Sequence, residues 1–339
     1  LGDVYKRQII LCFYLCLFTN TVWAQSLNED AFTLLDLNYP GLEEVNRLYH
    51  EGNKEDAAKA LLKYYQNRKS IINPTIDLDS ITISKQEQEW ADEALKHTFY
   101  VHDGYRPFNY GKDINWQYWP VKDNELRWQL HRHKWFISMG KAYYLSKDEK
   151  YAKEWVYQYR DWIRKNPLLE IDAQEYEILS HSKTKDVAEN VRFAWRPLET
   201  SHRLADQINQ FTLFLSSPSF TADFLTEFLV NYRRHAFHVL HSYSAEGNHL
   251  LFEAQRMIYA GVFFPEFKEA VSWRESGIKI LNREIEKQVY KDGGQYELDL
   301  GYHAACADIF QKALFMAESN GFHNEFPQSY IKTVETVSY

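Results

Sequence analysis

The feature that most constrains this chain is a helical hydrophobic period. It recurs from about residue 40 almost to the end, with no series of alternating segments that would build a sheet. Ala57, Ala60, Leu61, Tyr64 and Tyr65 share one helical face, with Asn53 placed to cap it. Leu126, Leu130, His133, Ile137 and Tyr144 recur at steps of three, four or seven and predict one continuous helix. Trp155, Tyr159, Trp162 and Ile163 predict another, stopped by Asn166-Pro167. Leu204, Ile208, Phe211 and Leu215 mark a further helix, ended by Ser216-Ser217-Pro218. Helices are also expected over about 220–241, 248–263, 267–289 and 303–319, with a break at Asp292-Gly293-Gly294. No repeat of fixed length is visible. The expected fold is all-α: antiparallel helix pairs wrapped into a toroid.

Two stretches resist a helical reading. Asp103–Val121 holds Trp116 and Trp119 among Gly104, Pro107, Gly111 and Pro120, and Leu168–Pro197 leads into Phe193-Ala194-Trp195-Arg196-Pro197. Long irregular joins between helices are where functional loops are found. Ten Trp, 24 Tyr and 21 Phe suit either a large helical core or a cleft that stacks sugar faces, and core filling takes most of them. A net charge of −8 argues against a nucleic-acid partner but leaves room for a local basic cleft.

The start of the chain reads as an export signal over residues 1–24. Lys6 and Arg7 precede the apolar run Ile9–Phe18, and cleavage fits after Ala24. The run is short for a bilayer span, and no later segment reads as transmembrane, so no membrane partner is expected. Cys12 and Cys16 would leave with the signal, and Cys306 would remain alone without a disulfide partner. An exported chain without disulfides suits a bacterial periplasm. The mature part, residues 25–339, is expected to be one toroid domain, and its end at Tyr339 carries no helix stop.

Two segments carry candidate chemistry. Glu246-Gly247-Asn248-His249 stands where a loop enters a helix. Asn248 is either a plain N-cap or an amide donor to an anionic or developing enolate oxygen, reinforced by the N–H groups of the helix start. His249 offers a second donor. In Gly293 through His303, Tyr302 again meets a helix start, where the positive end favours phenolate and a tyrosine can exchange a proton; the plain alternative is a core tyrosine. Trp195 and Arg196 pair a stacking face with a fork suited to carboxylate or sulfate, and Trp116 is a similar substrate-binding candidate.

Weaker groups are set aside. His235, His238 and His241 recur every three residues, but a metal needs converging ligands, and none is expected. Arg127, His131, Arg132, His133 and Lys134 read as a solvated basic face, with a groove border as the alternative. There is no phosphate loop and no serine elbow.

Four stretches in order resemble the heparinase II/III-like polysaccharide lyases, most closely the heparinase III (heparan-sulfate lyase) type. They are Ile114-Asn115-Trp116 with Pro120, Ala194-Trp195-Arg196-Pro197-Leu198-Glu199, Gly247-Asn248-His249-Leu250-Leu251-Phe252-Glu253-Ala254, and Gly293 through His303. The resemblance implies an incomplete α/α toroid, a C-terminal β-sandwich absent from this chain that supplies a catalytic His, and no cofactor. It places catalysis on Asn248 and Tyr302, with His249 beside them. The implied activity is β-elimination of a uronate-containing anionic polysaccharide such as heparan sulfate, with alginate or another uronan as an alternative. Two other readings stay open. A toroid glycoside hydrolase would draw two carboxylates from Glu246, Glu253, Glu297 and Asp299. A glycan-binding protein would cleave nothing.

Overall fold

The helical period lands on real helices with few exceptions. The protein, a computed structural model, is described over residues 27–169, 190–288 and 300–337, with side chains described over 306–336 in the last stretch. Three short helices open it: α1 (Asp30–Leu34), α2 (Glu43–His50) and α3 (Lys54–Asn67). Then come α4 (Lys85–Ala94), the two-residue antiparallel strands β1 (Thr98–Phe99) and β2 (Phe108–Asn109), and α5 (Asn124–Leu130). The remainder is paired helices: α6 (Trp135–Ser146) with α7 (Glu149–Lys165), α8 (Pro197–Phe214) with α9 (Ala222–His241), α10 (Gly247–Phe263) with α11 (Ala270–Gln288), and α12 (Leu300–Glu318) with α13 (Gln328–Val337).

These pairs form two layers. Helices α6, α8, α10 and α12 lie side by side, and each packs on its outer partner, which is the expected incomplete toroid. Contacts between inner helices join residues at similar depth. Gln255 Nε2 donates to the Ile309 carbonyl at 2.9 Å, and the His202 ring meets Phe252 with centroids 5.9 Å apart. The inner helices therefore run parallel, and their N-termini gather at one end. Their dipoles make that end favourable for anions.

Helices α1 to α3 brace the far end. The Asp36 amide donates to the Glu266 carbonyl and Leu35 bridges to Phe267, while buried Arg68 pairs with buried Glu266 at 2.7 Å and also donates to the Phe263 carbonyl. Close approach of α10 and α11 depends on glycine. A Cβ at Gly277 would sit 2.4 Å from the Ala254 carbonyl oxygen, and one at Gly261 would sit 2.4 Å from that of Ala270.

The core is built on aromatic rings, and five of its tryptophans have their indole N–H matched. Trp116, Trp135, Trp155, Trp162 and Trp195 are all buried, and their indole N–H groups donate to Asp161, Gln158, Gln210, His131 and the Asn166 carbonyl. A buried donor without such a partner would cost about 1–3 kcal/mol, so each pair fixes a ring in place.

Three expectations are corrected. The run Leu126–Tyr144 is two helices, α5 and α6, because His133 adopts a left-handed backbone at φ 58° and ends the first period. The run Arg127–Lys134 is no solvated face. Arg127, His131 and His133 are buried, with Arg127 held between the Trp119 and Phe193 rings at 4.1 and 4.0 Å. Asn53 precedes α3 but its side chain makes no capping bond.

Candidate active site

The site is assembled at the gathered N-termini. Glu246 is fully extended and Gly247 turns at φ 76°, a left-handed conformation that a Cβ disfavours, so the chain enters α10 sharply. Asn248 and His249 thus lie in the first turn of the helix rather than at its cap. The Cys306 thiol of α12 donates to Asn248 Oδ1 at 3.6 Å, which leaves the amide N–H groups on the opposite edge. The preceding loop is tied down by Glu253 one turn deeper in α10. Its buried carboxylate accepts from the Ser244 amide at 2.7 Å and from the Ser244 hydroxyl at 2.8 Å. Burial raises the Glu253 carboxyl to about 7, against the lowering effect of the Ser244 bonds.

Beside this loop, two guanidiniums share one carboxylate. Glu199, in the first turn of α8, is buried; it accepts from Arg132 Nη2 at 2.8 Å and lies 3.4 Å from Arg196 Nη1. Arg196 also stacks on Trp128 at 4.0 Å, and the Trp128 indole donates to the Arg192 carbonyl at 2.8 Å. Two cations thus flank one buried carboxylate at the mouth, with Glu125 as a second carboxylate near His249. His249 senses these charges: partial desolvation, then Arg196 and Arg132, lower its pKa, while Glu199 and Glu125 oppose them. His202, deeper on α8, is held neutral by burial and by Arg256, Arg132 and Lys134.

The structure brings some of the expected residues together and removes others. Asn248, His249 and Arg196 converge. Tyr302 falls in the first turn of α12, at the same end, but its side chain lies outside the described residues. Trp116 and Trp195 are corrected: each is 1% exposed, packed among rings of the core, and they offer no stacking face. Their indoles donate to Asp161 and to the Asn166 carbonyl at the end of α7. Among the described residues, exposed Trp119, stacked on Arg127, and partly buried Trp128, stacked on Arg196, offer aromatic faces instead. His235, His238 and His241 each make their own bond, to Arg203 and Asn231, to Trp195 and to Phe237 respectively. Among the described residues no group of three metal-ligating side chains converges. Of the carboxylates weighed for a hydrolase, Glu253 is buried and committed to Ser244, Glu246 is exposed, and Glu297 and Asp299 lie outside the described residues. No described helix is long and apolar enough to cross a membrane.

Comparison with known proteins identifies the fold and the family. The chain matches the Heparinase II/III N-terminus profile over residues 31–338. The chain belongs to the heparinase II/III family. It is 63% identical over 330 residues to a heparin-sulfate lyase of Bacteroides stercoris, covering 97% of this chain and 49% of that protein. A heparin-sulfate lyase of Pedobacter heparinus is 47% identical, with 98% and 49% covered. Among solved structures, a heparinase III with methylated lysines superposes with a TM-score of 0.86 at 66% identity over 93% of this chain and 49% of that one. The heparan sulfate lyase of Pedobacter heparinus gives a TM-score of 0.80 at 49% identity, with 91% and 47% covered. The chain thus spans about half the length of the curated relatives it matches.

Within this heparinase II/III toroid, sequence reasoning gave Glu199 and Ser244 no role, weighed Glu253 only as a hydrolase carboxylate, and read Arg132 as part of a solvated face with a groove border as the alternative, which is where it lies. Glu199 carried a usable clue, since a carboxylate three residues after Arg196 faces it across one helical turn. Nothing in the sequence links Arg132 to Glu199 or Ser244 to Glu253, because those contacts need the tertiary fold.

Proposed function

We propose that this chain is the toroid part of an exported, periplasmic polysaccharide lyase that cleaves heparan sulfate or a related uronate-containing glycosaminoglycan by β-elimination. Residues 1–24 serve as its signal peptide in this reading. The observation that carries it is the display of Asn248 on the first turn of α10, turned out by Gly247 and braced by Cys306, beside the Arg132–Glu199–Arg196 cluster.

The chemistry asks for three things. The C5 proton must leave, charge on the uronate carboxylate must be absorbed, and the C4 oxygen must gain a proton. The Asn248 amide, with the α10 amides behind it, donates to that carboxylate as it becomes enolate-like; one such donor is typically worth about 10²–10³ in rate. His249 adds a second donor, and its lowered pKa keeps the ring neutral near pH 7. Arg196 and Arg132 attract the polyanion. Tyr302 takes the C5 proton and returns it to O4, which in glucuronate lies on the same ring face. An epimer with H5 on the other face needs a second base, the role given to a histidine of the implied C-terminal β-sandwich. No cofactor enters this scheme.

Near-ultraviolet absorbance during incubation of the full-length gene product with heparan sulfate tests it, since elimination creates a conjugated unsaturated uronate. A rise that Tyr302→Phe abolishes is expected. No rise on heparan sulfate, hyaluronan, chondroitin or alginate would refute the lyase and favour a glycan-binding protein.

A further inference from the structure

Asn248, Phe252, Arg256 and Tyr259 descend one face of α10 into the lumen between α8 and α12. Phe252, Arg256 and Tyr259 line a cavity of about 380 Å³ there, together with Asn209 of α8 and Lys312 of α12. The far end is spanned by the segment 72–75. Asn73 Nδ2 donates to Asn209 Oδ1 at 2.8 Å, and the Ile72 amide donates to Asn320 Oδ1 at 2.7 Å, so the segment ties α8 to the end of α12.

Arg256 is the unusual member of this lining. It is 8% exposed, and its guanidinium lies 4.4 Å over the Phe252 ring. Nη2 contacts His202 Nδ1 at 3.3 Å, while Nε and Nη1 have no hydrogen-bond partner among the described residues. The other cation of the cavity, Lys312, is already paired with Asp308 at 2.8 Å. Asp206, which faces Arg256 electrostatically, is pushed up to about 6 by burial and compensates it poorly at mildly acid pH. Buried donors left unmatched are costly, and a guanidinium fork fits the paired oxygens of a sulfate or carboxylate. Eight residues of helix separate Arg256 from Asn248, on the order of 12 Å along the axis. That span suits a sugar removed from the scissile bond.

We infer that this lumen cavity is a glycan subsite, in which Arg256 binds an anionic group, sulfate or carboxylate, on a sugar beyond the one at Asn248. The inference rests on the lyase reading. Arg256 is then a specificity-determining residue, and long substrates reach it while the shortest do not.

The test is Arg256→Met, with Arg256→Lys as a charge-retaining control, in the full-length gene product. KM and kcat are measured on N-sulfated hexasaccharides, on unsulfated hexasaccharides of the same backbone, and on the shortest oligosaccharide that is cleaved. The expected result is a rise in KM of about tenfold on the sulfated hexasaccharide with kcat nearly unchanged, and no change on the shortest substrate. If the rise vanishes without sulfate, Arg256 reads sulfate; if it persists, Arg256 reads carboxylate. Equal loss on long and short substrates, or unchanged KM with a lowered melting temperature, overturns the subsite and leaves a water-satisfied structural arginine. Should the wild type release no unsaturated uronate at all, the lyase reading fails separately. Calorimetric titration with the sulfated hexasaccharide then decides the subsite: binding about tenfold weaker in Arg256→Met supports it, and equal binding overturns it.

Discussion

Arg203 and Arg256 sit on neighbouring inner helices, both almost inaccessible, and the fold treats them in opposite ways. Arg203 is 2% exposed and points into the core behind α8. Its Nε donates to His235 at 2.9 Å, Nη1 to the His131 carbonyl at 2.8 Å and Nη2 to Thr200 at 3.3 Å, while Trp162 and Trp195 cover its faces at 4.3 and 5.0 Å. Burial lowers it to about 9, which leaves it charged at neutral pH. Arg256 points into the lumen with two donors unmatched. The same side chain is thus a finished structural part on one wall of α8 and an open receptor across the lumen. The contrast is between an arginine whose donors are all matched in the aromatic core and one that faces the lumen cavity with two donors unmatched.

Substitution tests this division. The largest effect is expected from Arg203→Met, which orphans the His131 carbonyl and His235 inside the core. Urea denaturation should show a loss of about 3–5 kcal/mol. Arg256→Met should change stability by less than about 1 kcal/mol, because the cost of burying the cation with two unmatched donors offsets its attraction to Asp206. Equal losses at the two positions would erase the comparison.

Glu253 gives the next effect, through pH. Its folded pKa of about 7 lies above the roughly 4.3 of a free glutamate, so the folded state holds its proton more tightly. Stability from this group is complete below about pH 4 and is lost as pH rises to about 7, on the order of 3–4 kcal/mol at most. Melting temperatures of wild type and Glu253→Gln should coincide at low pH and separate in favour of the variant toward neutral pH. Parallel profiles would mean that the Ser244 bonds cancel the effect of burial. Gly277→Ala sharpens the view of the core. Its Cβ meets the Ala254 carbonyl oxygen at 2.4 Å, and the forced separation of α10 and α11 should cost about 1–2 kcal/mol by denaturation. The smallest effect is expected at the mouth. Glu199→Gln frees Arg132 and Arg196 from their shared anchor, and KM for heparan sulfate should move by a few-fold to tenfold with kcat little changed.

How much of this was legible beforehand follows from which contacts are local. Helices α9 to α12 were placed within about three residues, because their apolar period is set by neighbours three and four positions apart. The split at His133 was invisible, since the period runs on across a left-handed residue that tertiary ring packing stabilises. Asn248 was legible as a loop-to-helix residue, but its place in the first turn depends on Gly247 at φ 76°. Trp116 and Trp195 misled because a tryptophan in an irregular stretch looks the same whether its ring faces a cleft or the core. Only the bonds to Asp161 and Asn166 tell them apart. Arg256 gave no sign in the sequence, where it is one more residue on a helix. Its meaning lies in the partners it lacks.

The central claim is that the Asn248 amide absorbs the charge of elimination, and Asn248→Asp addresses it most directly. The substitution preserves shape but replaces two donors with acceptors facing the uronate carboxylate. In the full-length gene product, release of unsaturated uronate from heparan sulfate should fall in kcat by about 10²–10³ with the melting temperature held. Turnover within a few-fold of wild type would contradict the account.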